Sequence, residues 1–350
     1  MTQAPRGSTE SWVDTAALMD SARMFEHTGA LRDAEAAYDA VIVSAARQDE
    51  RAVLTEAFRR RAVLAHQAGD SARARSGLQQ SYAIATLLGD ARLTAETLNT
   101  LGGLELETRN LAAAEAALAE AASLARDDAA VLARVSQNLG IVANIRGDHA
   151  AAEACYARSL AAYEALEDAE GSAIARHNLG MLAADRGDYV QASAHFLACE
   201  RLAETSGNAH LGALCLVNHA EVMLALGRTS EARGALRGAE RAFEMIEARF
   251  DAPDVLRVIA LCDRADGLLP QAEARLVQAR ELARLTDSRL TEAEVDRDLG
   301  RLYAATGRLT LARAALHDAE LTFAALGAVG DAETTRRELA ELTAGNPADG

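Results

Sequence analysis

The sequence predicts an all-α array of stacked helical hairpins, and three observations carry the prediction. The first is composition: across 350 residues Ala is the commonest, Leu, Glu and Arg supply much of the remainder, aromatics make up 4% and Pro appears 4 times. Ala and the long unbranched side chains have the lowest conformational cost in a helix, whereas a sandwich or barrel needs β-branched and aromatic residues with frequent turns. The second observation is a set of small residues that recur at a fixed interval. The third is a Gly that recurs between them.

The interval is found by aligning Ala34, Ala74, Ala114, Ala152, Ala192, Ala232, Ala272 and Ala312, which are spaced by 40 residues except for one step of 38. Twelve residues upstream of each stands Gly or Ala: Ala22, Ala62, Gly102, Gly140, Gly180, Ala220, Ala260 and Gly300. Four residues downstream stands a large apolar side chain: Tyr38, Leu78, Leu118, Tyr156, Phe196, Leu236, Leu276 and Leu316. Between the first two columns lies a breaker, Gly29, Gly69, Gly147, Gly187, Gly227, Gly267 and Gly307, with Arg109 as the one substitute. Asp70, Asp148 and Asp188 follow their Gly directly and are placed to cap the next helix.

Each repeat therefore reads as a helix ending at the breaker, a short turn, and a second helix packed on the first through small residues. One such hairpin cannot bury its apolar stripe alone, so neighbours must stack. In order, the repeats fall at 12–49, 50–89, 90–127, 128–167, 168–207, 208–247, 248–287 and 288–327. Residues 328–343, with the polar-faced run DAETTRRELAELTA, read as a capping helix over the last exposed stripe. The ends, 1–11 and 344–350, read as disordered. Two positions depart from the pattern. Glu105 and Asp263 stand where Phe25 and Tyr303 suit the bulky preference, and a half-buried carboxylate needs a partner or a raised pKa. Arg109, one turn beyond Glu105, is the partner the sequence suggests for it.

Charge and motifs exclude several classes of function. Every basic residue is Arg, and 36 of them against 52 acidic residues give −16, a surface that repels phosphate backbones and anionic lipid. The opening MTQAPRGSTESW lacks an apolar stretch and is not a secretory signal, and no apolar run approaches the ~20 residues that span a bilayer. Cys155, Cys199, Cys215 and Cys262 have no CxxC spacing and call for no oxidising compartment, so the cytoplasm is the expected location. Phosphate loops, nucleophile elbows and HExxH are absent. His195 and Cys199 share a helix face at a spacing that suits two metal ligands, but Cys199 falls at a small packing position and reads as core. No cofactor, metal, nucleic acid or membrane partner is expected.

Leu139-Gly140, Ala143, Gly147-Asp148, Ala152, Tyr156 and Ser159 resemble the tetratricopeptide repeat, as do Leu179-Gly180 through Gly187-Asp188-Tyr189, Ala192 and Phe196. The unit is longer than the family's usual one and lacks its terminal Pro, and is similar to the 40-residue variant of kinesin light chains and bacterial peptide-responsive regulators. The resemblance implies an α-solenoid, a right-handed superhelix whose first helices line a concave groove. It further implies that Asn two places before the small-residue column holds a peptide backbone, since one amide both donates and accepts. Asn138, Asn178 and Asn218 occupy that place, and they serve equally well as bridges between adjacent helices.

Around them Asn99, Gln137, His177 and Met181 complete the candidate peptide site. At the C-terminal end Arg257, Arg264, Arg297 and Arg301 form a candidate anion site, with Glu294, Asp296 and Asp298 close enough to neutralise it instead. The function expected is a non-enzymatic interaction scaffold that binds a peptide or partner segment in its groove. The alternative is a regulator that responds to a peptide or small anion by compaction. With repeats beginning near residue 12, a separate DNA-binding domain or effector bundle is not expected, which favours the scaffold.

Overall fold

The computed structural model describes residues 14–246 and 252–344, and among them every regular element is a helix. The ends expected to be disordered lie outside the described residues, except residue 344, which closes the last helix. The first hairpins are α1 (Thr15–His27) with α2 (Leu31–Gln48), α3 (Arg51–Gln67) with α4 (Ser71–Leu88), and α5 (Ala91–Glu107) with α6 (Leu111–Leu124). Then come α7 (Ala129–Ile145), α8 (His149–Ala165), α9 (Ala169–Asp185), α10 (Tyr189–Ser206), α11 (Ala209–Ala225) and α12 (Thr229–Met245). The last are α13 (Ala252–Ala265), α14 (Leu269–Leu285), α15 (Arg289–Ala305), α16 (Leu309–Ala325) and a seventeenth helix, α17 (Val329–Ala344). The odd-numbered helices are the first helices of successive hairpins. Within α7 the chain divides into two compact units, residues 1–139 and 140–350.

The columns found in the sequence are the packing contacts. All eight aligned Ala, from Ala34 to Ala312, are fully buried, as are Tyr38, Leu78 and Leu118 at the bulky column. Where the upstream column is Gly, the bulky residue sixteen places on occupies the space of the missing side chain. A Cβ at Gly140 would lie 2.5 Å from the Tyr156 ring, one at Gly180 2.7 Å from Phe196, and one at Gly300 2.6 Å from Leu316. The small residue lets the helices approach, and the large one fills the gap beside them.

Each hairpin turns through a left-handed residue. Gly147 has φ 77°, and Arg109, the substitute, takes the same conformation at φ 61° despite its Cβ. The carboxylates of Asp70, Asp148 and Asp188 accept from the backbone N–H three residues on, as caps. A second left-handed column, between repeats, was not anticipated: Asp49, Gly89, Glu167, Gly207, Asp287 and Gly327.

Successive hairpins meet at another small-residue crossing. Ser81 on α4 donates to the Thr55 carbonyl at 2.9 Å and shares a 2.9 Å hydroxyl contact with Thr97 on α5. At the same sixteen-residue separation Cys199 on α10 and Cys215 on α11 form a disulfide, where the sequence called for no bridge. The crossing brings its small residues face to face, and here both are Cys. Cys262 is a buried free thiol in the same hydrophobic cluster.

Glu105 is buried, and its partners differ from the one expected. Arg75 on α4 donates to it at 2.8 Å and Asn110 at 2.9 Å. Arg109 is committed to the turn. Asp263, also buried, pairs with Arg233 at 2.9 Å and with Arg275. No helix among the described residues is long and apolar enough to cross a membrane.

Candidate functional site

Two cavities, one in each unit, are lined by first helices alone. In residues 1–139 a cavity of about 660 Å³ takes Arg23 from α1, Glu56, Arg59 and Arg60 from α3, Arg92, Glu96 and Asn99 from α5, and Arg134 from α7. In residues 140–350 a cavity of about 390 Å³ takes Glu221 from α11, Arg257 and Arg264 from α13, and Arg297, Asp298 and Arg301 from α15. Residues three and four apart on a helix share a face, so each first helix offers one stripe to its cavity.

The C-terminal cavity brings together all four Arg of the candidate anion site. Arg257 is buried, 8% exposed, and contacts Glu221, Glu294 at 3.3 Å and Asp298 at 3.2 Å. Burial works against its charge, but the surrounding carboxylates hold the guanidinium well above its ordinary pKa. Burial pushes Glu294 up to about 7, against the attraction of Arg257 and with the repulsion of Glu221. Arg297 pairs with Asp331 at 2.5 Å and lies over the Phe323 ring, and Arg301 pairs with Glu338 at 2.6 Å. Asp296 turns instead to Arg280 at 3.2 Å. Arg264 lines the cavity with no acidic partner among the described residues.

The amides of the candidate peptide site link neighbouring first helices. Asn138 Nδ2 donates to Asn99 Oδ1 at 3.0 Å, from α7 to α5. Asn218 Nδ2 donates to His177 Nε2 at 2.9 Å, from α11 to α9. Burial lowers the His177 pKa, against a hydrogen bond with Asn178, which keeps the ring neutral and its Nε2 able to accept. Met181 is 39% exposed, and the Gln137 side-chain oxygen is buried without a partner. A smaller cavity of about 200 Å³ in the N-terminal unit includes Asn99 and Asn138 with His66 and Glu107. Asn99 and Thr100 line both this cavity and the larger Arg-rich one.

The Arg cluster of the N-terminal unit follows no column of the repeat. Glu96 is contacted by three guanidiniums, Arg59 at 3.2 Å, Arg92 at 3.4 Å and Arg134 at 3.6 Å. Glu56 takes Arg23 at 3.0 Å and Arg60 at 2.9 Å. Burial lowers the Arg59 pKa against the attraction of Glu96, and Arg60 and Arg134 lower it further. These five Arg occupy different places in their repeats, so no single column collects them.

Among the described residues, no three metal-ligating side chains cluster. Cys199 is bound in the disulfide and does not act with His195.

Residues 128–205 match the tetratricopeptide repeat model and are tetratricopeptide repeats. No curated protein matches the sequence. Among solved structures the chain is similar to a signal-transduction ATPase with numerous domains, from Pyrococcus horikoshii, that carries a tetratricopeptide repeat sensor. The TM-score is 0.64 at 15% identity, over 92% of this chain and 50% of that one. It is also similar to a Rap protein complexed with competence and sporulation factor, with TM-score 0.60 and 15% identity over 94% of this chain and 97% of that one. A third is the Rap conjugation gene regulator of the plasmid pLS20 in complex with a Phr peptide, with TM-score 0.59 and 14% identity over 82% and 78%. At these identities the likeness shows the fold, an α-solenoid of helical hairpins.

Proposed function

We propose that the chain is a non-enzymatic scaffold that takes up a peptide or a segment of a partner protein along its first helices. The observation that carries this reading is that both cavities are lined by odd-numbered helices alone. Two of the similar structures are complexes, one with competence and sporulation factor and one with a Phr peptide, which supports a peptide as the ligand class. Asn138 gives one N–H to Asn99 and keeps a carbonyl oxygen that can accept from a peptide backbone. Asn178 and Asn218 are assigned the same role in the C-terminal unit, with His177 and Met181, and Gln137 joins Asn138 and Asn99 in the N-terminal unit.

The test is display of random extended peptides against the intact chain. Enriched peptides should bind the wild type and lose binding to N138A/N178A/N218A, with helicity unchanged by circular dichroism. Equal binding by the triple variant overturns the amide role.

A second reading, a regulator responsive to a small anion, is favoured by one observation: Arg264 lines the C-terminal cavity with no acidic partner among the described residues. Hydrogen exchange with and without inorganic phosphate separates the two. Protection spread over many hairpins supports the regulator, and protection absent or confined to the cavity supports the scaffold.

A further inference from the structure

The geometry points to the N-terminal Arg cavity as the place where an extended acidic peptide docks, its carboxylates paired by Arg59, Arg92 and Arg134. The inference rests on the peptide-binding reading above and adds the ligand's chemistry and its position. Three features on the molecule argue for it.

The first is charge. In a chain of net −16, five guanidiniums line one cavity with two carboxylates, Glu56 and Glu96. Both carboxylates are shared, Glu96 among three Arg, so the guanidiniums' remaining N–H groups outnumber the acceptors beside them. Arg92 leans on Asp128 at 3.3 Å as well, Arg60 on Glu26 at 3.1 Å and Arg23 on Asp20 at 3.7 Å, yet Arg134 reaches Glu96 beyond hydrogen-bond distance. An incoming carboxylate meets planar forks that are positioned but not saturated.

The second feature is extent. The five Arg come from four successive first helices, α1, α3, α5 and α7. At about 10 Å between neighbouring helices the four helices span roughly 30 Å, and their guanidiniums gather at two points, three about Glu96 and two about Glu56. A single phosphate meets one of these two clusters, whereas an extended chain with spaced carboxylates meets both.

The third feature is continuity. Asn99 and Thr100 belong to this cavity and to the smaller one that holds Asn138, so a chain that starts on the Arg cluster passes onto amides able to pair with its backbone.

The experiment measures fluorescence anisotropy of a labelled peptide of about ten Glu residues against the full chain, with a Gly/Ser peptide of the same length as control. The double variant R92Q/R134Q, at two exposed Arg, is expected to weaken the Glu peptide by about tenfold or more. R92K/R134K, which keeps the charge and loses the fork, should lie between it and the wild type. R241Q, at an exposed position of α12 outside both cavities, should stay within about twofold, the spread of a site that takes no part.

An unchanged affinity in R92Q/R134Q overturns the proposal, as does a Gly/Ser peptide that binds equally well. Displacement of the Glu peptide by inorganic pyrophosphate at equal molar concentration also overturns it, since a compact anion would then suffice. If the Glu peptide does not bind while displayed peptides still need Asn138, the acidic site falls and the peptide-binding reading stands. If neither binds, both fall.

Discussion

In the N-terminal unit one carboxylate, Glu96, is shared by three guanidiniums; in the C-terminal unit one guanidinium, Arg257, is shared by three carboxylates. Both cavities are rich in Arg and both are lined by first helices, so counting Arg along the chain ranks them alike. Their chemistry is opposite. A buried cation that must be paired is satisfied in the second case by the fold itself, which makes Arg257 a structural centre. In the first case five Arg line the cavity with two carboxylates, and Asp20, Glu26 and Asp128 meet three of these Arg from outside its lining.

The comparison is broken most severely at Arg257. Arg257→Met should cost about 3–5 kcal/mol, because it leaves Glu221, Glu294 and Asp298 without their shared partner. Hydrogen exchange resolved by helix is the measurement, and loss of protection should centre on α11, α13 and α15. A small effect would mean that these carboxylates are solvated or protonated and that the two clusters are less different than their geometry.

The packing columns should treat the two units alike. Gly102→Ala and Gly300→Ala drive a methyl into Leu118 and Leu316, each within 2.6 Å of the built Cβ, and should each cost about 1–3 kcal/mol. Urea midpoints of the two variants should shift together, and a large disparity would show that the units differ in packing as well as in charge.

The pH response should differ in sign. Glu294, raised to about 7 chiefly by burial, binds more protons folded than unfolded between its ordinary value of 4.5 and 7. Its contribution therefore weakens stability as pH rises through that window, by at most about 1.4 kcal/mol per pH unit for one proton. Glu294→Gln should flatten the slope. Burial also pushes Glu56 up, but hydrogen bonds from Arg60 and Arg23 outweigh it and leave the pKa below 4.5. Its stabilisation is present above 4.5 and is lost as pH falls through the lowered value. Helix-resolved exchange across pH ~4 to ~8 reads both slopes.

The smallest expected effect is on folding at the N-terminal cluster. Arg134→Gln should change stability by less than about 1 kcal/mol, since its ion pair is exposed and long. A larger loss in thermal melting would make Arg134 a structural residue and weaken its assignment to a ligand.

The hairpin architecture was legible because it is periodic. Small and bulky columns report contacts repeated in every unit, and Gly140 against Tyr156 is what the alignment implied. The turn at Arg109 was legible for the same reason, its position outweighing its identity. The second left-handed column is harder to read, because Gly holds it only at Gly89, Gly207 and Gly327, while Asp49, Glu167 and Asp287 take the same conformation without a Gly to mark them. Charge was harder to read. Arg75 reaches Glu105 from the preceding helix, thirty residues away, where proximity in sequence favoured Arg109. Arg23, Arg59, Arg60, Arg92 and Arg134 meet because four helices present different turns to one cavity, a convergence that has no period. The amides were placed correctly on the first helices, but their bonds to Asn99 and His177 depend on side-chain direction, which spacing does not encode.

The Cys199–Cys215 bond has a mechanical consequence. It ties α10 to α11 across the inter-repeat turn at Gly207, and the two residues are 16 apart in sequence. A chain pulled from its ends extends hairpin by hairpin, but the segment between these two sulfurs carries no tension. Under oxidising conditions about 55 Å of contour stays hidden from the force, at the extended length of a residue. Adding a reductant would release that length as a discrete step, so the stack contains one link whose compliance is set by redox state and not by load.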